Sequence, residues 1–122
     1  MNDQIGENLP ELNREFERLI ESGNFKSALP KCLHALEVSE KLYGDSSLEY
    51  AEVCQNLSII QRMIGNSSEA MAIASRVYDV RRSILGEDDL LSIESLAEIG
   101  MVEYRAMNYS KSELTLLRVE VI

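Results

Sequence analysis

The chain has 122 residues, of which 45% are hydrophobic and 27% charged, so its composition is that of one ordinary globular domain. Its 21 acidic and 12 basic residues give a net charge of −9, which argues against a nucleic-acid partner and against anionic membrane surfaces. The N-terminal residues lack the basic start and the apolar core of a signal peptide, and no apolar run reaches the roughly 18 residues needed to span a bilayer. We therefore expect a cytoplasmic protein that does not bind membranes.

The periodicity of the first 44 residues predicts a short tail and two helices. Residues 1–7 lack periodicity and are predicted to be a disordered tail. Apolar residues at helical spacing predict a first helix from about Asn8 to Ser22. Gly23 then turns the chain, and Pro30 lies inside the second helical pattern, which predicts either a late start or a slight kink of that helix.

The rest of the chain continues the helical pattern between glycine turns. Arg81 is predicted on the solvated outer face of helix four. The predicted buried line of this helix is Ala70, Ile73, Ala74, Val77, Ile84 and Leu85. Ser67 or Ser68 is the predicted cap of that helix. The third, fifth and sixth helices are predicted at about 48–64, at about 90–106 and from about 109 onward.

Residues 23–64 and 65–106 are two copies of one pattern, 42 positions apart. Seven positions are identical, and each copy places Gly-Asn before one helical stretch and Gly after it, where a turn must break the helix. A third copy starts at Met107. A repeat of this length predicts a solenoid in which each unit covers the apolar face of its neighbour. We thus predict an all-α protein, an α-solenoid of six helices in three antiparallel pairs, with one domain over 8–122 and repeats at about 8–44, 45–86 and 87–122.

The last seven residues are mostly apolar and lack a polar cap. Because solenoids need a polar terminal face to stay soluble, we expect either a fragment of a longer array or an end buried in a partner or a second copy of the chain. The candidates for such self-association, which would make a homo-oligomer, are Leu116, Val119 and Ile122.

Small residues at fixed inner positions and a Leu-Gly or Tyr-Gly stop accompany the repeat, as at Ser58, Ala70 and the segment 80–86. In these residues the chain resembles the tetratricopeptide repeat family in its kinesin light chain-like form, over about residues 9–122. The resemblance implies a right-handed superhelix whose first helix in each pair lines a concave groove. It also implies a protein-interaction module that binds a peptide segment of a partner in this groove. The paired asparagines typical of that form are replaced here by Gln55-Asn56 and Ala97-Glu98.

The resemblance places candidate groove residues on helices one, three and five. They are Asn13, Glu17, Ile20, Glu52, Gln55, Asn56, Ile59, Arg62, Met63, Glu94, Ala97, Glu98, Met101, Tyr104 and Arg105. Their amides can bond a peptide backbone of any sequence, and methionine and isoleucine add adaptable apolar contacts. Tyr104 beside Arg62 and Arg105 suggests a grip on a carboxylate. The alternative is that these arginines merely pair with Glu94, Glu98 or Glu103 on a solvated face.

The residues do not indicate an enzyme, a cofactor or a metal. His34 is the only histidine and is expected at the surface, and the acidic run 87–89 lacks the spaced ligands of a calcium loop. Cys32 and Cys54 fall on apolar stripes and are expected to be reduced and structural. Two hypotheses remain: a peptide-binding interaction module, or a structural scaffold that assembles through its apolar C-terminal helix.

Overall fold

The computed structural model describes residues 2–106 and Thr115, with side chains from Leu9 onward. Five helices occupy this part of the chain: α1 (Asn2–Glu21), α2 (Phe25–Tyr43), α3 (Leu48–Met63), α4 (Ser67–Leu85) and α5 (Leu90–Arg105). The described residues contain no strand. The predicted all-α class is therefore confirmed.

The helices form two layers of a solenoid. Each helix packs on the next one in the chain, as short turns require of antiparallel neighbours. Within the first layer, the backbone of α3 approaches those of α1 and α5, whereas the backbones of α2 and α4 in the second layer do not approach each other as closely. The first layer is thus the more tightly spaced side, and the stack is concave along α1, α3 and α5.

Glycines close the helices at equivalent places. Gly44 has φ 84° and ψ 164°, and Gly86 has φ 90° and ψ 158°, a backbone region that residues with a Cβ essentially never occupy. The pair α4 and α5 follows α2 and α3 with the same spacing at every boundary: α2 begins at Phe25 and α4 at Ser67, 42 positions later. The two units thus share one backbone plan although their side chains differ widely.

Polar side chains cap the helices that follow these glycines. Ser47 accepts a hydrogen bond from the Tyr50 amide at 3.1 Å and caps α3, and Asp89 accepts one from the Leu91 amide at 2.9 Å and caps α5. The predicted cap of α4 was wrong, because Asn66 holds the cap position and Ser67 is already helical. The Asn66 amide donates instead to Gln61 Oε1 at 2.7 Å.

The core lies between the layers and is built around α3. Small residues let helices approach closely, as predicted for Ser58 and Ala70: the buried Ser58 hydroxyl donates to the Ala70 carbonyl at 3.1 Å. The main cluster joins α1, α2 and α3 through Leu9, Phe16, Ala28, Cys32, Ala35, Val38, Val53, Leu57 and Ile60.

Both cysteines are free and buried, in agreement with their apolar positions. The Cys32 thiol donates weakly to the Val53 carbonyl at 3.7 Å. Burial raises the pKa of Cys32 to about 12 and that of Cys54 to about 11. Both therefore remain protonated at neutral pH and behave as small apolar groups.

The first two helices begin earlier than the sequence predicts. The helix α1 begins at Asn2, so residues 2–7 are helical and do not form the predicted disordered tail. Gly6 lowers helix propensity by only about 1 kcal/mol and does not end a helix. The helix α2 begins at Phe25, so the late start was wrong and Pro30 lies inside the helix. The predicted sixth helix and the candidates Leu116, Val119 and Ile122 lie outside the described residues.

Candidate functional site

A groove of about 540 Å³ opens on the concave side, between α1, α3 and α5. Most of its lining residues come from the predicted set: Glu17, Glu52, Gln55, Asn56, Ile59, Glu94, Ala97, Glu98 and Met101. Two further residues, Arg81 and Leu91, complete the lining. The helical repeat therefore brings side chains from three helices to one surface.

The register of the helices explains this convergence. Glu52, Gln55, Asn56 and Ile59 stand at positions i, i+3, i+4 and i+7 of α3, which share one helix face. The equivalent positions of α5, each 42 residues later, are Glu94, Ala97, Glu98 and Met101. Each repeat thus contributes the same four positions to the groove, with different chemistry at three of them.

A buried ion pair joins α3 to α5 beside the groove. Arg62 donates to Glu98 through Nε at 2.8 Å and through Nη2 at 3.1 Å, and the two side chains are only 12% and 6% exposed. Such a two-point arginine–carboxylate contact fixes both groups in one plane. The pairing with Glu98 is the alternative expected for Arg62, but the pair is buried and does not lie on a solvated face.

Arg81 is the site residue that the sequence interpretation missed. It was predicted on the solvated face of α4, but its side chain is only 2% exposed. Its Nη1 donates to the Leu91 carbonyl, to Glu94 Oε1 and to Ser95 Oγ, all within 3.1 Å. The prediction was wrong because a charged side chain was expected to be solvated wherever it stood on the helix. The prediction that Ile84 is buried was wrong as well, since this residue is 52% exposed. Arg81 follows Val77 by four positions on the line of Ala70, Ala74 and Val77, and this spacing is the signal that could have identified it.

Gln55 has a buried side chain that lines the groove. It is 5% exposed, and its Oε1 has no hydrogen-bond partner among the described residues. The adjacent Asn56 donates from its amide to the Glu52 carbonyl of its own helix at 3.3 Å. Buried acceptors are rarely left without a donor in folded proteins, so the oxygen of Gln55 requires an explanation.

The groove carries more negative than positive charge. Four glutamates line it, at positions 17, 52, 94 and 98, against the single arginine at position 81. Partial burial raises the pKa of Glu17, and the negative charges of Glu52 and Glu21 raise it further. The carboxylate of Glu17 is thus destabilised both by loss of water and by its neighbours.

Six predicted residues do not line this groove: Asn13, Ile20, Arg62, Met63, Tyr104 and Arg105. Asn13 is half-buried, and its Oδ1 has no hydrogen-bond partner among the described residues. Arg105 Nη2 lies 3.3 Å from the Met63 sulfur. The suggested trio of Tyr104, Arg62 and Arg105 therefore does not form a carboxylate grip in the groove, because Arg62 is already paired with Glu98.

Other kinds of site are not found in the described part of the chain. His34 is exposed on α2. No group of three or more histidine, cysteine, aspartate or glutamate side chains is placed to hold a metal ion among the residues described. Nor does any helix of the described residues combine the length and the apolar character that crossing a bilayer needs.

The comparison with protein families decides the affiliation of the chain. A model of the tetratricopeptide repeat matches residues 19–83, more than half of the sequence. The chain belongs to the tetratricopeptide repeat family. The match runs from the end of α1 into α4, so α5 lies beyond it. A comparison with curated proteins found no match.

Membership of this family confirms the architecture and gives the broad class of function. The chain is an α-solenoid of tetratricopeptide type. Tetratricopeptide repeats mediate protein–protein interaction and are typically non-enzymatic scaffolds.

Proposed function

We propose that this tetratricopeptide domain binds a peptide segment of a partner protein in the groove along α1, α3 and α5. The observation that carries the proposal is the convergence of three helices on one 540 Å³ groove that holds a buried, unpartnered acceptor, Gln55 Oε1. Ile59 and Met101 supply adaptable apolar contacts at equivalent positions of two repeats. An extended or helical segment fits a surface of this kind.

Two ion pairs support this function by fixing the walls of the groove; one is buried, and the other joins a buried arginine to an exposed glutamate. Arg62 with Glu98 ties α3 to α5, and Arg81 with Glu94 ties α4 to α5. A groove whose shape exists before binding loses little conformational entropy when a peptide enters, so most of the ordering cost falls on the peptide.

The proposal includes two finer points. We place the repeats in the kinesin light chain-like form of the family, which the 42-residue spacing of both helices in the second unit supports. We place the protein in the cytoplasm, and the two free thiols are the state that a reducing compartment maintains.

A displayed library of random dodecapeptides selected on the intact chain tests the function. Ala97→Phe fills the groove without changing charge, and Ala72→Phe places the same side chain at an exposed position of α4, in the opposite layer. We expect the selected peptides to lose at least tenfold in affinity with Ala97→Phe and to bind Ala72→Phe as they bind the original chain. Peptides that bind both variants equally, with both variants folded by circular dichroism, would refute the groove as the binding surface.

The alternative function is assembly of copies through Leu116, Val119 and Ile122. Sedimentation across a concentration series tests it, because assembly predicts a mass that rises with concentration and returns to that of a monomer in Val119→Lys. A monomer at all concentrations in both chains would contradict assembly and leave the groove as the functional surface.

A further inference from the structure

We infer that the α1–α3 side of the groove is a subsite for an arginine side chain of the bound segment, held by the carboxylates of Glu17 and Glu52 and by Gln55 Oε1. The inference rests on the proposed function and names the chemistry of the partner. Its partner is a basic segment, since two carboxylates and an amide oxygen offer only acceptors.

The charges within the groove are not evenly balanced. Glu98 is neutralised by Arg62, and Glu94 by Arg81. Glu17 and Glu52 form no ion pair among the described residues, and the charges of these two side chains repel each other. The excess negative charge of the groove therefore lies at this pair, on α1 and α3.

Gln55 supplies the third acceptor of the subsite. It stands one turn after Glu52 on the same face of α3, and both residues line the groove. Its side chain is more than nine-tenths buried, and Oε1 lacks a donor within the described residues. An N–H group of a ligand would satisfy this oxygen and remove the cost of leaving a buried acceptor unpaired.

Among cations, the arginine side chain matches these acceptors best. A guanidinium offers five N–H donors in one plane and can reach several acceptors at once, whereas an ammonium is a compact, strongly hydrated point charge. A bound metal ion is a weaker candidate, because the described residues contain no group of three or more metal-type side chains. Three acceptors on two helices therefore match arginine better than lysine or a divalent cation.

The subsite can be probed without knowing the partner. The intact chain, labelled with ¹⁵N, is titrated with N-acetyl-argininamide, with the same amide of citrulline, which keeps the shape but has no charge, and with that of lysine. We expect millimolar binding of the arginine compound, seen as shifts of the Gln55 side-chain amide signals and the Glu52 backbone signal. The lysine compound should bind at least threefold more weakly, and the citrulline compound should cause no shift.

Variants assign the binding to these side chains. Glu52→Gln and Glu17→Gln should each weaken binding of the arginine compound at least threefold. Glu69→Gln removes the same charge from an exposed position of α4 and should leave binding unchanged. Equal shifts from arginine and citrulline, or binding that Glu52→Gln does not weaken, would overturn the inference.

The peptide selection separates failure of the subsite from failure of the function. Selected peptides that are blocked by Ala97→Phe but contain no enriched arginine would retain the groove as a binding surface and overturn the arginine subsite. Peptides that ignore Ala97→Phe would overturn the proposed function itself, whatever the small compounds do.

Discussion

The contact between Arg62 and Glu98 determines what a substitution at either residue would measure. From the sequence, exchange of Arg62 tests the binding of a partner. In the structure both groups are nearly excluded from water and meet at two points, and Glu98 also faces the Ser58 hydroxyl at 3.5 Å. Removing either charge would leave the other one buried and unpaired, so such a variant reports on stability before it reports on binding.

We expect Arg62→Met to lower the free energy of unfolding by about 3 kcal/mol, because breaking a buried ion pair exposes the full desolvation cost of the remaining carboxylate. The double variant Arg62→Met with Glu98→Leu should recover most of this loss. Urea denaturation of the two variants and the original chain measures the difference. A double variant as unstable as the single one would show that packing, rather than charge, dominates at this position.

The raised pKa of Glu17 predicts how the stability of the fold depends on pH. Its pKa is raised in the folded chain, so the folded state binds the proton more tightly than the unfolded state, and stability falls as pH rises through the folded pKa. The Glu17→Gln variant should therefore be more stable than the original chain at pH 7, and the difference should shrink as the pH is lowered toward 4. Unfolding curves over this range test the sign. A variant that is less stable at pH 7 would contradict it.

Residue chemistry was the part of the site that the sequence predicted least well. The four groove positions that the resemblance implied on α3, and the four on α5, lie on one surface. The ion-pair partners of the charged groups were not predictable, because they come from other helices. Arg62, for example, pairs with Glu98, which lies 36 positions later in the chain. Arg81 illustrates the same limit, because its burial depends on acceptors supplied by the start of α5.

At the scale of elements, the position after α4 needs glycine for its backbone conformation and not for lack of space. Gly86 has positive φ with extended ψ, and a Cβ built there would meet no atom within 4 Å. We expect Gly86→Ala to cost about 1–3 kcal/mol through backbone strain alone. Thermal unfolding measures the loss.

Gly86→Asn provides the control for this assignment. Asparagine tolerates the left-handed helical region, but the ψ of Gly86 lies outside it, so the asparagine variant should lose as much stability as the alanine variant. Full rescue by asparagine would show that the residue relaxes into the left-handed helical region.

The sequence predicted the elements between Phe25 and Arg105 well, because paired glycines mark both ends of each unit. It misplaced the start of α1, where a glycine, the loss of periodicity and a cap-type residue at Asn8 all argued for a helix boundary. Apolar periodicity indicates which residues are buried, yet a backbone helix can extend past the last buried residue, so the start of such a helix is not encoded in the pattern.

At the scale of the whole molecule, α3 is the central helix, in contact with all four other described helices. A solenoid is stabilised by each unit and its nearest neighbours, so a helix with more neighbours opens less often. We expect the amides of α3 to exchange with deuterium most slowly and those at the start of α1 to exchange fastest. Hydrogen exchange followed by mass spectrometry measures this gradient, and uniform protection across the helices would contradict it.

The two thiols give the molecule a built-in reporter. Cys32 belongs to the cluster between α1, α2 and α3, and Cys54 to the smaller cluster between α3 and α4. With pKa values of about 12 and about 11, neither presents a thiolate to an electrophile while the chain is folded. Alkylation by a maleimide must therefore wait for the surrounding helices to separate. The alkylation rates of Cys32 and Cys54 therefore report how often the helices around each cysteine separate. No label has to be engineered into the protein.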